Sequence, residues 1–417
     1  MRLATSLTDA ARSALRFLAR PVHVVRDDGG VVLQPYRGYG SKEEIFLIGR
    51  VFREPPRRAE GAPLGSLARL GRHLFRHGIG AAPVLARFGG AEQRVVTDAD
   101  GYFRIHLEIA QPPPDDRLWH PIPLELLQPV RLEVEGELFI PPTRCRSVVI
   151  SDIDDTIMES RVASLPRMLW RLFLQGAHHR LAFPGMAALL RAFHRGASGE
   201  AFNPMLYVSR SPWSNYEILD EFFHLHLIPV GPLLFLREWG MTLQNPLPRR
   251  GKSHKLDMIR HMLALYRELP FVLIGDSGQR DPEIYTRLVR EHPGRVLAIY
   301  IRNVSRSPER RAAIEALAAE VAAAGSSLLL AADSLAMAEH AVEHGLIAAE
   351  ALAEVAAERA QEPEAPAPAT TRTIVRPTPE KTRAAVERGR LDQALDQGAA
   401  GGTPPNVVVE PEDSRRL

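Results

Sequence analysis

The stretch Val148-Val149-Ile150-Ser151-Asp152-Ile153-Asp154-Asp155-Thr156 decides the fold of this chain. Its β-branched run predicts a buried strand, which ends in the carboxylates of Asp152 and Asp154 and the hydroxyl of Thr156. In open α/β sheets, ligands bind beyond the carboxyl ends of the strands. Two carboxylates buried there repel each other unless a cation binds or one carboxyl stays protonated. Because Asp-x-Asp also occurs in loops and helix caps, the rest of the chain must decide between a site and a turn.

Beyond this strand, short apolar strands alternate with helical stretches, which is typical of a parallel sheet. The predicted strands cover residues 147–151, 205–209, 232–236, 271–275, 296–301 and 327–331. The pair Ser307-Pro308 predicts the start of a helix, and Gly325 predicts its end. The second half of the chain is therefore expected to be an α/β domain.

The region ahead of this domain has a different pattern. From about Glu44 to Pro141, short alternating strands with Pro and Gly between them predict a small β-sandwich. Residues 5–20 predict a basic amphipathic helix, which either lies on a lipid headgroup layer or packs on the protein.

Composition excludes several classes of protein. The chain has 417 residues, with 52 Lys and Arg against 50 Asp and Glu, and this balance gives no argument for a nucleic-acid partner. The single cysteine, Cys145, excludes a disulfide framework. No apolar run is long enough for a transmembrane segment, and the first twenty residues lack the pattern of a secretory signal. We expect a cytoplasmic protein.

Further polar residues follow the other predicted strands. Ser209 ends one strand, and Asp276 and Asp281 follow another. Lys255 begins a predicted helix, where the helix dipole disfavours a cation, so an anionic partner is expected there. Each residue has an ordinary alternative, as a cap, a turn former or a solvated lysine. Their order along the chain favours one catalytic site.

This order of motifs resembles the haloacid dehalogenase superfamily of phosphohydrolases, and more specifically its phosphatidate phosphatase family. The resemblance rests on 151–156 (SDIDDT), 183–186 (FPGM), 209–213 (SRSPW) and 275–285 (GDSGQRDPEIY), and it covers about residues 147–345. It implies a fold of the α/β class: a Rossmann-like parallel sheet of the haloacid dehalogenase type, preceded by the small β-sandwich domain.

The resemblance also implies roles for individual residues. Asp152 is the expected nucleophile, which forms an aspartyl-phosphate, and Asp154 is the expected general acid and base. Ser209 and Lys255 are expected to hold the phosphoryl oxygens. Lys252 is an alternative to Lys255. The residues expected to contact substrate are Thr156, Arg210 and Ser277.

Mg²⁺ is the expected cofactor, because carboxylate oxygens, phosphate and water suit it and no Cys/His cluster competes. The resemblance implies the ligands Asp152, the Asp154 carbonyl, Asp276 and Asp281. Asp155 is characteristic of the family, but its role stays open between a cap and a hydrogen bond that steadies the loop. The predicted domains are 1–43 (helix and linker), 44–145 (β-sandwich), 146–360 (phosphatase) and 361–417 (disordered tail).

The expected function is Mg²⁺-dependent hydrolysis of phosphatidate or a related lipid phosphate at a membrane surface, with a peripheral association. Residues 165–174 combine large apolar side chains with cations, which suits either a lipid surface or a buried helix. Two alternatives remain. One is a phosphatase of a soluble phosphomonoester, and the other is a membrane or protein adaptor with a vestigial phosphatase domain. No motif names a protein partner.

Overall fold

The chain folds around two β-sheets, one on each side of residue 141. The computed structural model describes residues 25–27, 29–54, 76–158, 182–209, 213, 216–235, 254–360 and 374–375. The predicted N-terminal helix, residues 165–174 and almost all of the predicted tail lie outside these ranges.

The first sheet contains ten strands, and along Glu44–Arg53 and Tyr102–Glu108 buried residues alternate with more exposed ones. They are β1 (Val25–Arg26), β2 (Val31–Pro35), β3 (Gly38–Gly40), β4 (Glu44–Arg53), β5 (His77–Gly78), β6 (Pro83–Phe88), β7 (Ala91–Val96), β8 (Tyr102–Glu108), β9 (Trp119–Leu126) and β10 (Leu132–Phe139). Strand β3 pairs with β10 in parallel, and the other pairs are antiparallel.

The second sheet contains seven strands in the order β13-β12-β11-β14-β15-β16-β17. They are β11 (Val148–Asp152), β12 (Met205–Ser209), β13 (Leu233–Phe235), β14 (Phe271–Asp276), β15 (Val296–Arg302), β16 (Ser327–Ala331) and β17 (Ile374–Val375). The first six run parallel, whereas β17 is antiparallel to β16. Each of the six strands predicted from sequence is confirmed to within one residue.

Seven helices of the described part of the chain accompany the second sheet. They are α1 (Met186–Arg195), α2 (Tyr216–Leu225), α3 (His254–Leu265), α4 (Asp281–Glu291), α5 (Pro308–Ala323), α6 (Ser334–Glu343) and α7 (Ala351–Ala360). Side chains alternate along each strand, so Val149 packs with α1, α2, α6 and α7, while Val148 and Ile150 pack with α3, α4 and α5. The sheet is therefore covered on both faces. None of the described helices is both long and apolar enough to cross a bilayer.

The predicted fold class is wrong. The strands ahead of β11 belong to one mixed sheet of ten strands that begins at Val25, so they do not form a small sandwich that begins near Glu44. The second sheet is also mixed, because β17 adds an antiparallel edge, and a Rossmann-like sheet of the haloacid dehalogenase type is not shown. Periodicity identifies strands, but strand pairing depends on contacts between residues far apart in sequence. The domain boundaries stay predictions.

Aromatic residues join the first sheet to the α/β domain. The ring of Tyr36, next to β2, stacks on Trp213 with the ring centroids 4.9 Å apart. The backbone N–H of Arg37 donates to the Tyr216 hydroxyl at 3.1 Å, and the Arg37 guanidinium forms an ion pair with Asp220. Because Trp213 lies four residues after Ser209, Tyr36 contacts a residue that is close in sequence to a predicted catalytic residue.

Candidate active site

The candidate site lies at the carboxyl ends of the two central strands, β11 and β14. Asp152 ends β11 and Asp276 ends β14. The chain proceeds from β11 outward through β12 and β13, then returns to β14 and proceeds through β15 and β16 in the other direction. A crevice forms where the strand order reverses, and ligands of open α/β sheets bind there.

A buried lysine joins two of the predicted acids. Lys255 lies in the first turn of α3, and its Nζ donates to Asp152 Oδ1 at 2.7 Å and to Asp281 Oδ1 at 2.6 Å. All three side chains are at most 4% exposed. The sequence predicted an anionic partner for Lys255, and these two carboxylates are that partner.

Three buried carboxylates converge beside this lysine. Asp152, Asp276 and Asp281 each offer an oxygen within 4.8 Å of the others. The Oδ1 atom of Asp276 accepts the backbone N–H groups of Gly278 at 2.7 Å and Gln279 at 2.8 Å. Its Oδ2 atom is buried and accepts no hydrogen bond from the described residues. An all-oxygen set with one unpartnered oxygen fits a hard cation such as Mg²⁺.

The charge balance of the cluster perturbs its ionisation. Burial raises the pKa of Asp152 well above its usual value; Lys255 opposes this shift, while Asp281 and Asp154 add to it. Burial and the neighbouring Asp281 raise the pKa of Asp276 to about 6. Burial by itself would lower the pKa of Lys255, but Asp152 and Asp281 raise it well above its usual value. One ammonium therefore lies beside three buried carboxyl groups, an arrangement that suits a further cation.

The predicted acid–base residue lies on the loop after β11. Asp154 Oδ2 accepts a long hydrogen bond of 3.4 Å from the hydroxyl of Ser209, which ends the neighbouring strand β12. Asp155 has a φ of 61°, in the left-handed region that Asp and Asn tolerate better than most residues. Its backbone N–H donates to the Met158 carbonyl at 2.8 Å. Asp155 therefore forms the turn of the loop that carries Asp154.

Thr156 and Ser277, which were predicted to contact substrate, form hydrogen bonds with other parts of the protein. Thr156 is fully buried, and its carbonyl accepts from the Arg302 guanidinium at 3.2 Å. The Ser277 hydroxyl accepts the backbone N–H groups of Val304 at 2.9 Å and Ser305 at 3.0 Å, so it ties the loop after β14 to the loop after β15. Arg210 and Lys252 lie outside the described residues. All of the predicted site roles stay predictions.

Two residues near the site were missed from sequence. The side-chain amide of Gln279 donates to Asp152 Oδ2 at 3.3 Å and to the Asp154 carbonyl at 3.1 Å. Arg310, in the first turn of α5, donates to the carbonyl of Gln279 at 2.6 Å. Gln279 lies between Asp276 and Asp281, so its position within the motif was a usable signal. No local pattern links Arg310 to a loop thirty residues earlier.

Comparison with known protein families finds relatives of the region that carries this site. Residues 147–303 match the family described as phosphatidate phosphatase APP1, catalytic domain. The chain is 30% identical over 159 residues to the phosphatidate phosphatase APP1 of Saccharomyces cerevisiae, a match that covers 38% of this chain and 26% of that protein. It is 32% identical over 159 residues to an uncharacterised protein of Schizosaccharomyces pombe, covering 37% and 25%.

These matches confirm the predicted resemblance: residues 147–303 are similar to the catalytic domain of phosphatidate phosphatase APP1. The chain spans about a quarter of the length of the curated relatives it matches. A carbohydrate acetylesterase structure from Xanthomonas citri aligns over 68% of this chain and 71% of its own, at 11% identity and a TM-score of 0.22. A likeness that low carries no argument.

Proposed function

We propose that this protein hydrolyses phosphatidate or a related lipid phosphomonoester, with Asp152 as the nucleophile. The observation that carries the proposal is the contact between Asp152 and Lys255, at 2.7 Å, inside a domain similar to a phosphatidate phosphatase catalytic domain. Lys255 opposes the rise that burial causes in the pKa of Asp152, and so favours the ionised carboxylate that must attack phosphorus. The lipid part of the proposal rests on the name of the yeast relative.

The proposed reaction has two steps and uses these side chains. An oxygen of Asp152 forms a bond to phosphorus while the bond from phosphorus to the ester oxygen breaks, which leaves an aspartyl-phosphate. Asp154 gives its proton to the departing alkoxide and then takes a proton from the attacking water. The water oxygen bonds to phosphorus, phosphate leaves, and the carboxylate of Asp152 is restored. Lys255 and Ser209 offset the charge on the phosphoryl oxygens.

We also propose that Mg²⁺ binds here. Asp152, Asp276, Asp281 and the carbonyl of Asp154 would hold it, and the unpartnered Oδ2 of Asp276 supports this assignment. A bound Mg²⁺ would supply positive charge that orients the phosphate and stabilises negative charge as it develops. Lys255 donates to the Oδ1 atoms of Asp152 and Asp281, whereas Asp152 Oδ2 accepts from Gln279 and Asp281 Oδ2 accepts the backbone N–H of Asp276 at 3.3 Å.

Phosphate release tests the proposal. The purified full-length chain is assayed with Mg²⁺ on phosphatidate in mixed micelles and on a panel of soluble phosphomonoesters. Asp152→Asn should abolish release because it removes the attacking carboxylate at constant size. Asp257→Asn is the matched control: Asp257 is an exposed residue of α3, and its substitution should leave release unchanged.

The possible outcomes separate the parts of the proposal. Selective, Asp152-dependent release from phosphatidate supports all of it. Release from soluble esters alone keeps the chemistry and refutes the lipid substrate. Release that persists in Asp152→Asn refutes the nucleophile, and no release from any substrate favours the adaptor alternative.

A further inference from the structure

The turn that joins two of the three carboxylates is held from outside by an arginine. Asp276 ends β14 and Asp281 begins α4, so the turn between them sets the distance between the two side chains. Arg310 lies in the first turn of α5. Its Nε donates to the Ser277 carbonyl at 2.8 Å, and its Nη2 donates to the Gln279 carbonyl at 2.6 Å. One guanidinium thus binds two main-chain carbonyls of the turn.

Contacts on the inner side of the turn leave its carbonyl groups unbound. Asp276 Oδ1 accepts the backbone N–H groups of Gly278 at 2.7 Å and Gln279 at 2.8 Å. Among the described residues, only Arg310 donates to the carbonyl of Gln279. Because segments with few hydrogen bonds open locally at little cost, the outer contact matters for keeping the turn closed.

Arg310 is itself fixed in position. Its backbone N–H donates at 3.1 Å to the hydroxyl of Ser307, the N-cap of α5. Its guanidinium also forms an ion pair with Glu283, in the first turn of α4, with Nη2 3.1 Å from Oε2. The planar guanidinium donates to two carbonyls and a carboxylate at once, a geometry that a lysine ammonium does not reproduce. Arg310 therefore joins α5 to both ends of the segment that carries Asp276 and Asp281.

We infer that Arg310 is a positioning residue that fixes the relative positions of Asp276 and Asp281 through the turn between them. The inference rests on the proposed function, in which both acids belong to the site. Together with Asp152, each offers an oxygen within 4.8 Å of the others, and carboxyl groups this close repel each other when they are ionised. Arg310 opposes the opening of the turn that this repulsion favours. A misplacement of about 1 Å in a catalytic site can cost about 10²-fold in rate.

Hydrogen–deuterium exchange of the full-length chain, measured by mass spectrometry, tests whether Arg310 holds the turn. Arg310→Met removes the guanidinium, so peptides that cover residues 277–281 should exchange about tenfold faster, while β11 exchanges as in the wild type. Arg311→Met makes the same chemical change at the next residue of α5, and the Arg311 side chain forms no hydrogen bond or ion pair within the described part of the chain. This control should exchange like the wild type. Should Arg310→Met not fold, Arg310→Lys keeps the charge, loses the two-carbonyl contact and is expected to show the same local effect.

Phosphate release from the same variants tests whether the position of the turn matters for the reaction. Arg310→Met should lower kcat by about tenfold or more and change KM by less than about twofold, because the interaction positions groups for the reaction step. Unchanged exchange outside residues 277–281 shows that the folded fraction is preserved, so a lower kcat then belongs to the folded enzyme. Arg311→Met should keep the wild-type kcat.

Faster exchange confined to the turn, together with a lower kcat, supports the inference. Unchanged exchange in the turn overturns it, and so does faster exchange throughout the chain, which would make Arg310 a general structural residue. Faster local exchange with a wild-type kcat refutes the positioning role but leaves the proposed function intact. A wild type that releases no phosphate from any substrate refutes the proposed function, and the positioning role with it.

Discussion

Removing the buried ammonium of Lys255 should destabilise the cation-free protein severely. In Lys255→Met, the side chain keeps its length but Asp152 Oδ1 and Asp281 Oδ1 lose donors at 2.7 and 2.6 Å. Both carboxylates are at most 1% exposed, so water does not replace the lost charge. Breaking a buried ion pair by removing one partner costs about 3–5 kcal/mol, because it leaves an unpaired buried charge.

A surface lysine provides the control. Lys42 is paired with Asp115 at 3.4 Å, and both side chains are more than 40% exposed. Exposed ion pairs contribute about 0–1 kcal/mol, so Lys42→Met should cost no more than about 1 kcal/mol. The difference between the two substitutions therefore reports on burial, since the chemical change is identical.

The free energy of unfolding is measured for each variant by urea titration in excess EDTA at neutral pH, followed by circular dichroism. The cost of Lys255→Met should shrink as the pH falls, because protonation neutralises the stranded carboxylates. Adding Asp281→Asn should recover part of the loss, since it removes one of the two unpaired charges. A Lys255→Met cost equal to that of Lys42→Met would refute the reasoning.

The remaining predictions concern the same loops. Gly275→Ala should lower phosphate release more than tenfold, because a Cβ there would lie 2.3 Å from Asp281 Oδ2. In Gly278→Ala the nearest contact of the added Cβ is 3.1 Å, so the loss should be smaller. Equal losses in the two variants would contradict this reasoning. In EDTA, the raised pKa of Asp276 stabilises the folded protein at pH values below 3.8, the ordinary pKa of this group. This stabilisation is lost as the pH rises through about 6. Thermal unfolding across this range should show a loss of about 2–3 kcal/mol that Asp276→Asn flattens, and an equally steep profile in that variant would reject the assignment. Chelation of divalent metal should stop phosphate release reversibly, so full activity in excess EDTA would exclude the proposed metal.

Local sequence patterns were sufficient to locate the parallel strands of the α/β domain. A β-branched run such as Val148–Ile150 is buried on both faces, and its residues differ from their surroundings strongly enough to locate the strand. Parallel strands bring their carboxyl ends to one edge, so Asp152, Ser209 and Asp276 were expected at the same edge from their positions at strand ends alone. The four motifs together were also specific enough to indicate the family resemblance before any contact was known.

Pairing between distant segments lay beyond those patterns. The ten-stranded first sheet joins β3 to β10 across nearly a hundred residues, and the antiparallel pairing of β17 with β16 joins Val375 to Leu328. Alternation of apolar residues has the same period in a sandwich, a barrel and a curled sheet. The predicted fold class was wrong because these long-range strand pairs could not be read from the pattern.

The amino-acid sequence by itself determined which residue types end each strand, and with them the chemistry that the site offers. Only the tertiary structure decided how these groups share charge: Lys255 bonds to Asp152 and Asp281, Asp276 Oδ2 has no donor among the described residues, and Gln279 takes two of the remaining acceptors. The physical reason is that a hydrogen bond depends on a few tenths of an ångström and on direction. Those quantities arise when α3, α4 and the loop after β14 pack together.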